Sequence, residues 1–183
     1  MSSLYIHFPF CRHLCNYCDF FKKIPQNRDL ELDQYHRYLN DSFFVHNKLL
    51  VENSIEIESL QTVYIGGGTP SFWGEDGSTF LKQFFKSNNL KLAKNCEFTI
   101  EVNPKTWTEE SIKLWQSLGV NRFSIGIQTL NQDIIKNLDR FHNLNDSLTT
   151  LNFFKNIGVN YSVDLMLGLP DSEKFKRNVV GEL

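Results

Sequence analysis

The sequence predicts an α/β fold built on a parallel sheet, and three observations carry that prediction. Short apolar runs alternate with helix-length segments at a spacing that leaves room for the crossovers parallel strands require. Polar or glycine-rich residues follow the strands in turn: Gly66 to Thr69, Glu101 to Asn103, Gln128 and Asp164. That edge is where α/β barrels and open α/β sheets carry their chemistry. Finally, 183 residues, 41% hydrophobic and 14% aromatic, supply a core for one domain, taken as residues 1–183, and argue against disorder.

Each element has its own signal. Leu4 to Phe8 reads as the first strand, followed by a cysteine loop from Cys11 to Phe21 and a break at Pro25. Leu30 to Leu50 has helical periodicity, with Leu32, Tyr35, Leu39, Phe43 and Leu50 near one face. Thr62 to Ile65 is a short strand stopped by Gly66-Gly67-Gly68, and Ser78 to Ser87 a helix carrying Phe80, Leu81, Phe84 and Phe85. Glu97 to Val102 is the third strand, ended by Asn103-Pro104. Thr108, with Glu109 and Glu110 in the first turn, starts a helix that stops at Gly119; Ser111 makes only an imperfect capping pair with it. Arg122 to Ile127 is the fourth strand, Asn131 to Leu138 a short helix, and Ser147 to Asn156 a further helix closed by Gly158. Val159 to Met166 is the fifth strand, with Gly168-Leu169-Pro170 behind it. Ser172 then caps a helix left unfinished, so Leu183 is expected to be a fragment boundary or an early stop.

Composition narrows the function classes. The formal charge is −2 with no Lys/Arg run, so neither nucleic acid nor an anionic membrane surface is an expected partner. No stretch approaches the ~18 apolar residues of a membrane helix. The strand from Leu4 leaves no room for a cleaved leader, and a cytoplasmic location is the expectation. Of four cysteines, three lie within eight residues and Cys96 is far away. Clustered thiols point to metal or redox chemistry instead of a disulfide scaffold.

The cysteines are spaced C-x3-C-x2-C, as Cys11, Cys15 and Cys18. Three such thiolates can each bind one corner iron of a [4Fe–4S] cluster, leaving the fourth iron open to an outside ligand. Electron carriers usually close all four irons with cysteine; an open position marks a catalytic site. Two alternatives stand beside this reading. One is a zinc site completed by His7 or His13, although the paired ligand spacing of zinc sites is missing; the other is a set of unligated thiols. Cys96 reads as a small buried hydrophobe. His7 reads as a hydrogen-bonded structural histidine and His13 as solvent-facing.

Six motifs in order carry a resemblance that spans Leu4 to about Pro170. They are Tyr5-x-His7-x-Pro9-Phe10-Cys11-x3-Cys15-x-Tyr17-Cys18, Gly66-Gly67-Gly68-Thr69-Pro70-Ser71, Glu101-Val102-Asn103-Pro104, Ser124-Ile125-Gly126-Ile127-Gln128, Arg140-x-His142 and Asp164-Leu-Met-Leu-Gly-Leu-Pro170. Together they resemble the radical S-adenosylmethionine (SAM) family of oxygen-independent coproporphyrinogen III oxidases and HemW-type haem chaperones. The resemblance implies a partial (β/α)6 TIM-like barrel, of which about five strands fall in this chain, with cluster and SAM at the C-terminal strand ends. It also implies the site residues. Cys11, Cys15 and Cys18 would hold the cluster, whose open iron SAM would chelate. Tyr5, Tyr17, Gly67, Gly68 and Thr69 would lie against SAM, Tyr5 and the glycine run at its methionyl end. Glu101 and Arg140 would meet its amine and carboxylate, and Gln128 and Asp164 its ribose hydroxyls.

Two branches of the family are open to this sequence. The oxidase branch carries a further cysteine two residues after the third ligand, whereas here Cys18 is followed by Asp19 and Phe20. The oxidase branch also tends to extend before the first strand. Both departures resemble the haem-chaperone branch, implying haem as ligand and haemoproteins as acceptors. The alternative is SAM-dependent oxidative decarboxylation of a porphyrinogen, fed by an electron donor; a further one is an inactive cluster- or zinc-binding fragment. Asp139 stands where the family commonly has glycine before the arginine.

Overall fold

The computed structural model describes residues 1–169 of the chain; Pro170 and the helix expected after Ser172 lie outside them. Five strands form one parallel sheet: β1 (Ser3–Phe8), β2 (Leu60–Gly67), β3 (Leu92–Val102), β4 (Arg122–Gln128) and β5 (Asn160–Leu165), in the order β1-β2-β3-β4-β5. Spatial neighbours are therefore sequence neighbours. Every crossover steps the same way, which curves a sheet into a barrel arc and differs from the reversing order of a doubly wound fold. The connections carry α1 (Arg28–Glu52), α2 (Gly74–Ser87), α3 (Glu109–Leu118), α4 (Gln132–Asn137) and α5 (Leu144–Asn156). Among the described residues, no helix is long and apolar enough to cross a membrane.

Strand alternation gives the sheet two unlike faces. Ile6, Phe8, Val63, Ile65, Phe98, Ile100, Phe123 and Ile125 are buried and form the core with Leu32 and Tyr35 of α1, Leu81 and Phe85 of α2, Ile112 and Trp115 of α3, and Phe154 of α5. The other face is polar. Register places Tyr5, Tyr64, Thr99 and Arg122 in one row across the strands, and Glu101, Ser124 and Ser162 in the next. The candidate site residues lie on and above this second face.

Several boundaries move outward from the sequence reading, each for a local reason. β3 starts at Leu92, not Glu97, because Leu92 pairs with Leu60 across a register irregularity that apolar runs do not reveal. A 3-10 helix, Pro70–Trp73, runs directly into α2 and brings its start to Gly74. α5 begins at Leu144, where Asn143 and Asp146 cap one another reciprocally. The Thr108–Ser111 pair is a complete capping box: Thr108 Oγ1 accepts from the Ser111 amide and Ser111 Oγ from the Thr108 amide, both at 3.0 Å.

Trp73 anchors the α1–α2 side. It is fully buried, stacks on Phe8 at 4.9 Å, meets Tyr35 edge-on at 5.3 Å, and donates its indole N–H to His36 Nε2 at 3.0 Å. Its ring lies so close to the Gly77 backbone that a Cβ there would penetrate it. Alanine normally stabilises a helix over glycine by about 1 kcal/mol. At Gly77 the overpacking term is larger, so Gly77→Ala should destabilise by about 1–3 kcal/mol. A lowered urea midpoint followed by tryptophan fluorescence is the expected result.

Candidate functional site

The cysteine loop is pinned at its root. The Cys11 amide donates to the Lys23 carbonyl at 2.9 Å and the Lys23 amide to the Pro9 carbonyl at 2.8 Å, closing the loop on itself. The chain leaving β2 runs alongside the chain leaving β1: Gly68 N–H donates to Phe8 O at 2.7 Å and Thr69 N–H to Phe10 O at 2.9 Å. Only glycine permits this approach. A Cβ on Gly67 would lie 2.7 Å from Phe8 O, at a φ of +118°, and one on Gly68 would lie 2.8 Å from Phe10 O. The space beside these glycines is thus filled by the protein's own backbone and by the His7 ring.

That approach carries Thr69 to the first cysteine. Its buried hydroxyl donates to Cys11 Sγ at 3.3 Å. Burial pushes the Cys11 thiol up, and the Thr69 hydrogen bond opposes the shift. Cys11, Cys15, Cys18 and Cys96 are all free thiols. Cys96 is buried within β3, away from the loop.

Arg140 ties the loop to the other side of the sheet. Its Nη1 donates to Tyr17 Oη at 2.8 Å and lies 3.8 Å from Cys15 Sγ; Nη2 donates to Gly126 O at 2.6 Å and Asn103 Oδ1 at 3.0 Å. Nε is buried with no partner among the described residues. Asn16 Nδ2 reaches the Asn137 carbonyl at 2.9 Å, and Arg12 lies 4.8 Å from the Phe141 ring centroid. Asp139 adopts φ 52°, the left-handed region that glycine enters freely and aspartate tolerates. His13 departs from the sequence reading. It is half-buried, not solvent-facing, because it packs on Phe141 and sets Nε2 3.2 Å from Asp139 Oδ2.

The remaining site residues fall into separate groups. Glu101 accepts from Tyr64 Oη at 2.9 Å and from Gly67 N–H at 3.1 Å; burial raises its carboxyl above the ordinary range. Asp164 is exposed and accepts from Ser124 Oγ at 3.1 Å. Gln128 sits at φ 69°, where the β4–β5 register shifts. Tyr5 is exposed and stacks on Tyr64, and its Oη is 3.0 Å from His7 Nδ1. The His7 Nε2–H donates to the Phe21 carbonyl at 2.8 Å, which leaves Nδ1 to accept from Tyr5. Glu101 and Arg140 engage different partners. Sequence reasoning missed Tyr64 and Asn103 as site residues; Asn103 stood in a quoted motif, and Tyr64 had no signal beyond its strand.

This donor set fits a cluster with SAM on it. Three free thiols rim one loop, and both His7 nitrogens are already engaged. Among the described residues, no three His, Cys, Asp or Glu side chains converge on a single ion; thiolates that each take a different iron need no such convergence. Glu101, desolvated with only neutral donors on it, and the unpartnered Arg140 Nε–H are matched to a ligand bearing an ammonium and a carboxylate.

A parallel barrel arc with a cysteine loop at its C-terminal strand ends defines the class, and comparison with known proteins agrees. The model of the radical SAM superfamily matches residues 5–175, and the chain belongs to that superfamily. Its members' shared cofactors, a [4Fe–4S] cluster and SAM, are thereby implied. The haem chaperone HemW of Buchnera aphidicola (Acyrthosiphon pisum, strain APS) is 36% identical over 173 residues, 92% of this chain and 43% of that protein. HemW of Bacillus subtilis (strain 168) is 36% identical over 174 residues, 93% of this chain and 43% of that protein. The structure of Escherichia coli coproporphyrinogen III oxidase (HemN), a radical SAM enzyme, superposes with a TM-score of 0.81 at 28% identity, covering 96% of this chain and 39% of that one. The chain thus spans less than half the length of these relatives.

One group in the site has a defined pH signature. His142 is buried, and burial, followed by the Arg140 charge, lowers it to about 4. The unfolded chain protonates it near the ordinary value of about 6.5. Folding therefore loses stability as pH falls from about 6.5 to about 4, by about 3 kcal/mol across the window. His142→Phe should show a smaller drop in urea midpoint between pH 7 and pH 4 than the parent chain.

Proposed function

We propose that this chain forms the cluster- and SAM-binding part of a haem chaperone, which binds haem and passes it to haemoproteins. The observation that carries the reading is the cysteine loop itself. Cys11, Cys15 and Cys18 are free thiols on a loop whose continuation, Cys18-Asp19-Phe20, lacks a further cysteine. The relatives named as HemW haem chaperones, 36% identical, support it. Cys11, Cys15 and Cys18 would hold the cluster, and Glu101 and the Nε–H of Arg140 the ammonium and carboxylate of SAM. Gln128 and Asp164 would bind the ribose, and Tyr5, Tyr17 and the Gly67–Thr69 backbone would flank the ligand. Bound together, cluster and SAM supply one-electron chemistry at a carbon–sulfur bond. Free thiols suit a cytoplasmic setting with an electron donor at hand.

A second reading is favoured by the superposition on HemN: a coproporphyrinogen oxidase that converts propionate side chains to vinyl groups. One experiment separates the two. The full-length gene product is reconstituted anaerobically with iron and sulfide and titrated with haem. A parallel sample receives coproporphyrinogen III, SAM and a low-potential reductant. Stoichiometric haem binding without vinyl product is the expected result; vinyl product would move the assignment to the oxidase. An intact cluster with neither haem binding nor product would overturn both.

The cluster has its own test. Cys11→Ala, Cys15→Ala and Cys18→Ala should each lose bound iron and sulfide, while Cys96→Ala should retain both. Equal loss from Cys96→Ala would mean a different ligand set.

A further inference from the structure

Arg140 is a donor at every nitrogen, which fixes the direction of the hydrogen bonds that lead away from it. Its Nη2–H points at Asn103 Oδ1, 3.0 Å away, so the other end of that amide must be the donor. Asn103 Nδ2–H then donates to Thr69 Oγ1 at 3.2 Å. With its oxygen accepting, the Thr69 hydroxyl directs its single proton to Cys11 Sγ at 3.3 Å. On the other branch, Arg140 Nη1 reaches Cys15 Sγ at 3.8 Å, a distance suited to the larger sulfur atom. Asn103 is held at its backbone too: its N–H donates to Ser71 Oγ at 3.1 Å, and its carbonyl accepts from Thr106 Oγ1 at 2.7 Å.

We infer that this branched relay, from Arg140 directly to Cys15 and through Asn103 and Thr69 to Cys11, sets how readily the cluster is reduced. The inference rests on the proposed cluster ligands and assigns Asn103 and Thr69 a role beyond them. Hydrogen bonds to a ligand thiolate draw negative charge off the sulfur. The reduced cluster carries one more negative charge than the oxidised one, so the donors favour reduction and raise the potential. A chain of bonds anchored on a cation strengthens each member by polarisation. Two of the three sulfurs are therefore served by one guanidinium, and Asn103 acts as a positioning residue between Arg140 and the Thr69 hydroxyl.

The test is an EPR-monitored redox titration of the full chain after anaerobic reconstitution, with iron and sulfide quantified in every variant. Thr69→Val keeps the shape and removes the terminal proton; Thr69→Ser keeps the proton; Asn103→Leu cuts the relay one bond further from the sulfur. With iron and sulfide content equal to the parent chain, Thr69→Val and Asn103→Leu are expected to have more negative midpoints, and Thr69→Ser the parent's. If Thr69→Val fails to load, Asn103→Leu carries the same comparison. Fully loaded variants with the parent's midpoint would overturn the relay while leaving the ligand assignment intact. A parent chain that takes up no iron or sulfide would instead overturn the ligand assignment, and the relay with it.

Discussion

Everything at this site depends on the close approach of two backbones, the Gly66-Gly67-Gly68 run leaving β2 and the Phe8–Cys11 segment leaving β1. Parallel pairing normally ends where strands diverge, yet here it continues past the sheet edge through Gly68 N–H to Phe8 O and Thr69 N–H to Phe10 O. The Cβ of any other residue at Gly67 or Gly68 would collide with a carbonyl oxygen. Because the approach is made, Thr69 reaches Cys11, Ser71 reaches the backbone of Asn103, and the cysteine loop stands over the sheet instead of swinging free. The glycine run that invites comparison with a ligand-binding turn is first of all a packing requirement of the loop.

The polar face of the sheet is the second departure from the ordinary economy of an α/β fold. Parallel strands are commonly apolar on both faces, since both are covered. Here the outer face follows that rule, and the inner face carries Thr99, Glu101, Arg122, Ser124 and Asp164. Cross-strand bonds satisfy much of it: Tyr64 to Glu101, Arg122 to Thr99 and Ser162, and Ser124 to Asp164. Glu101 still bears a desolvation cost, seen in its raised carboxyl. Local violations of stability logic gathered on one face are what a binding surface looks like in a fold otherwise built for its core.

Arg140 shows how such a surface is assembled from distant parts. Its contacts join the cysteine loop, the end of β3 and the end of β4, across separations of up to 125 residues. Asp139, in the left-handed conformation, sets the turn that presents it, and an aspartate there gains His13 as a neighbour. An aspartate at this turn is accommodated by backbone geometry that aspartate can adopt.

The sequence by itself determined the parallel α/β class, the order of strands and helices, and the grouping of Cys11, Cys15 and Cys18, because periodicity, turn residues and spacing are properties of near neighbours. It underestimated β3 and α5, whose extra residues depend on a partner strand and on a reciprocal cap. Tertiary structure alone decided that Gly67 and Gly68 face backbone, that His13 is half-buried against Phe141, and that Asn103 stands between Arg140 and Thr69. Those outcomes depend on which strand ends come side by side in the arc. That is a consequence of the common crossover direction, which no local stretch of sequence encodes.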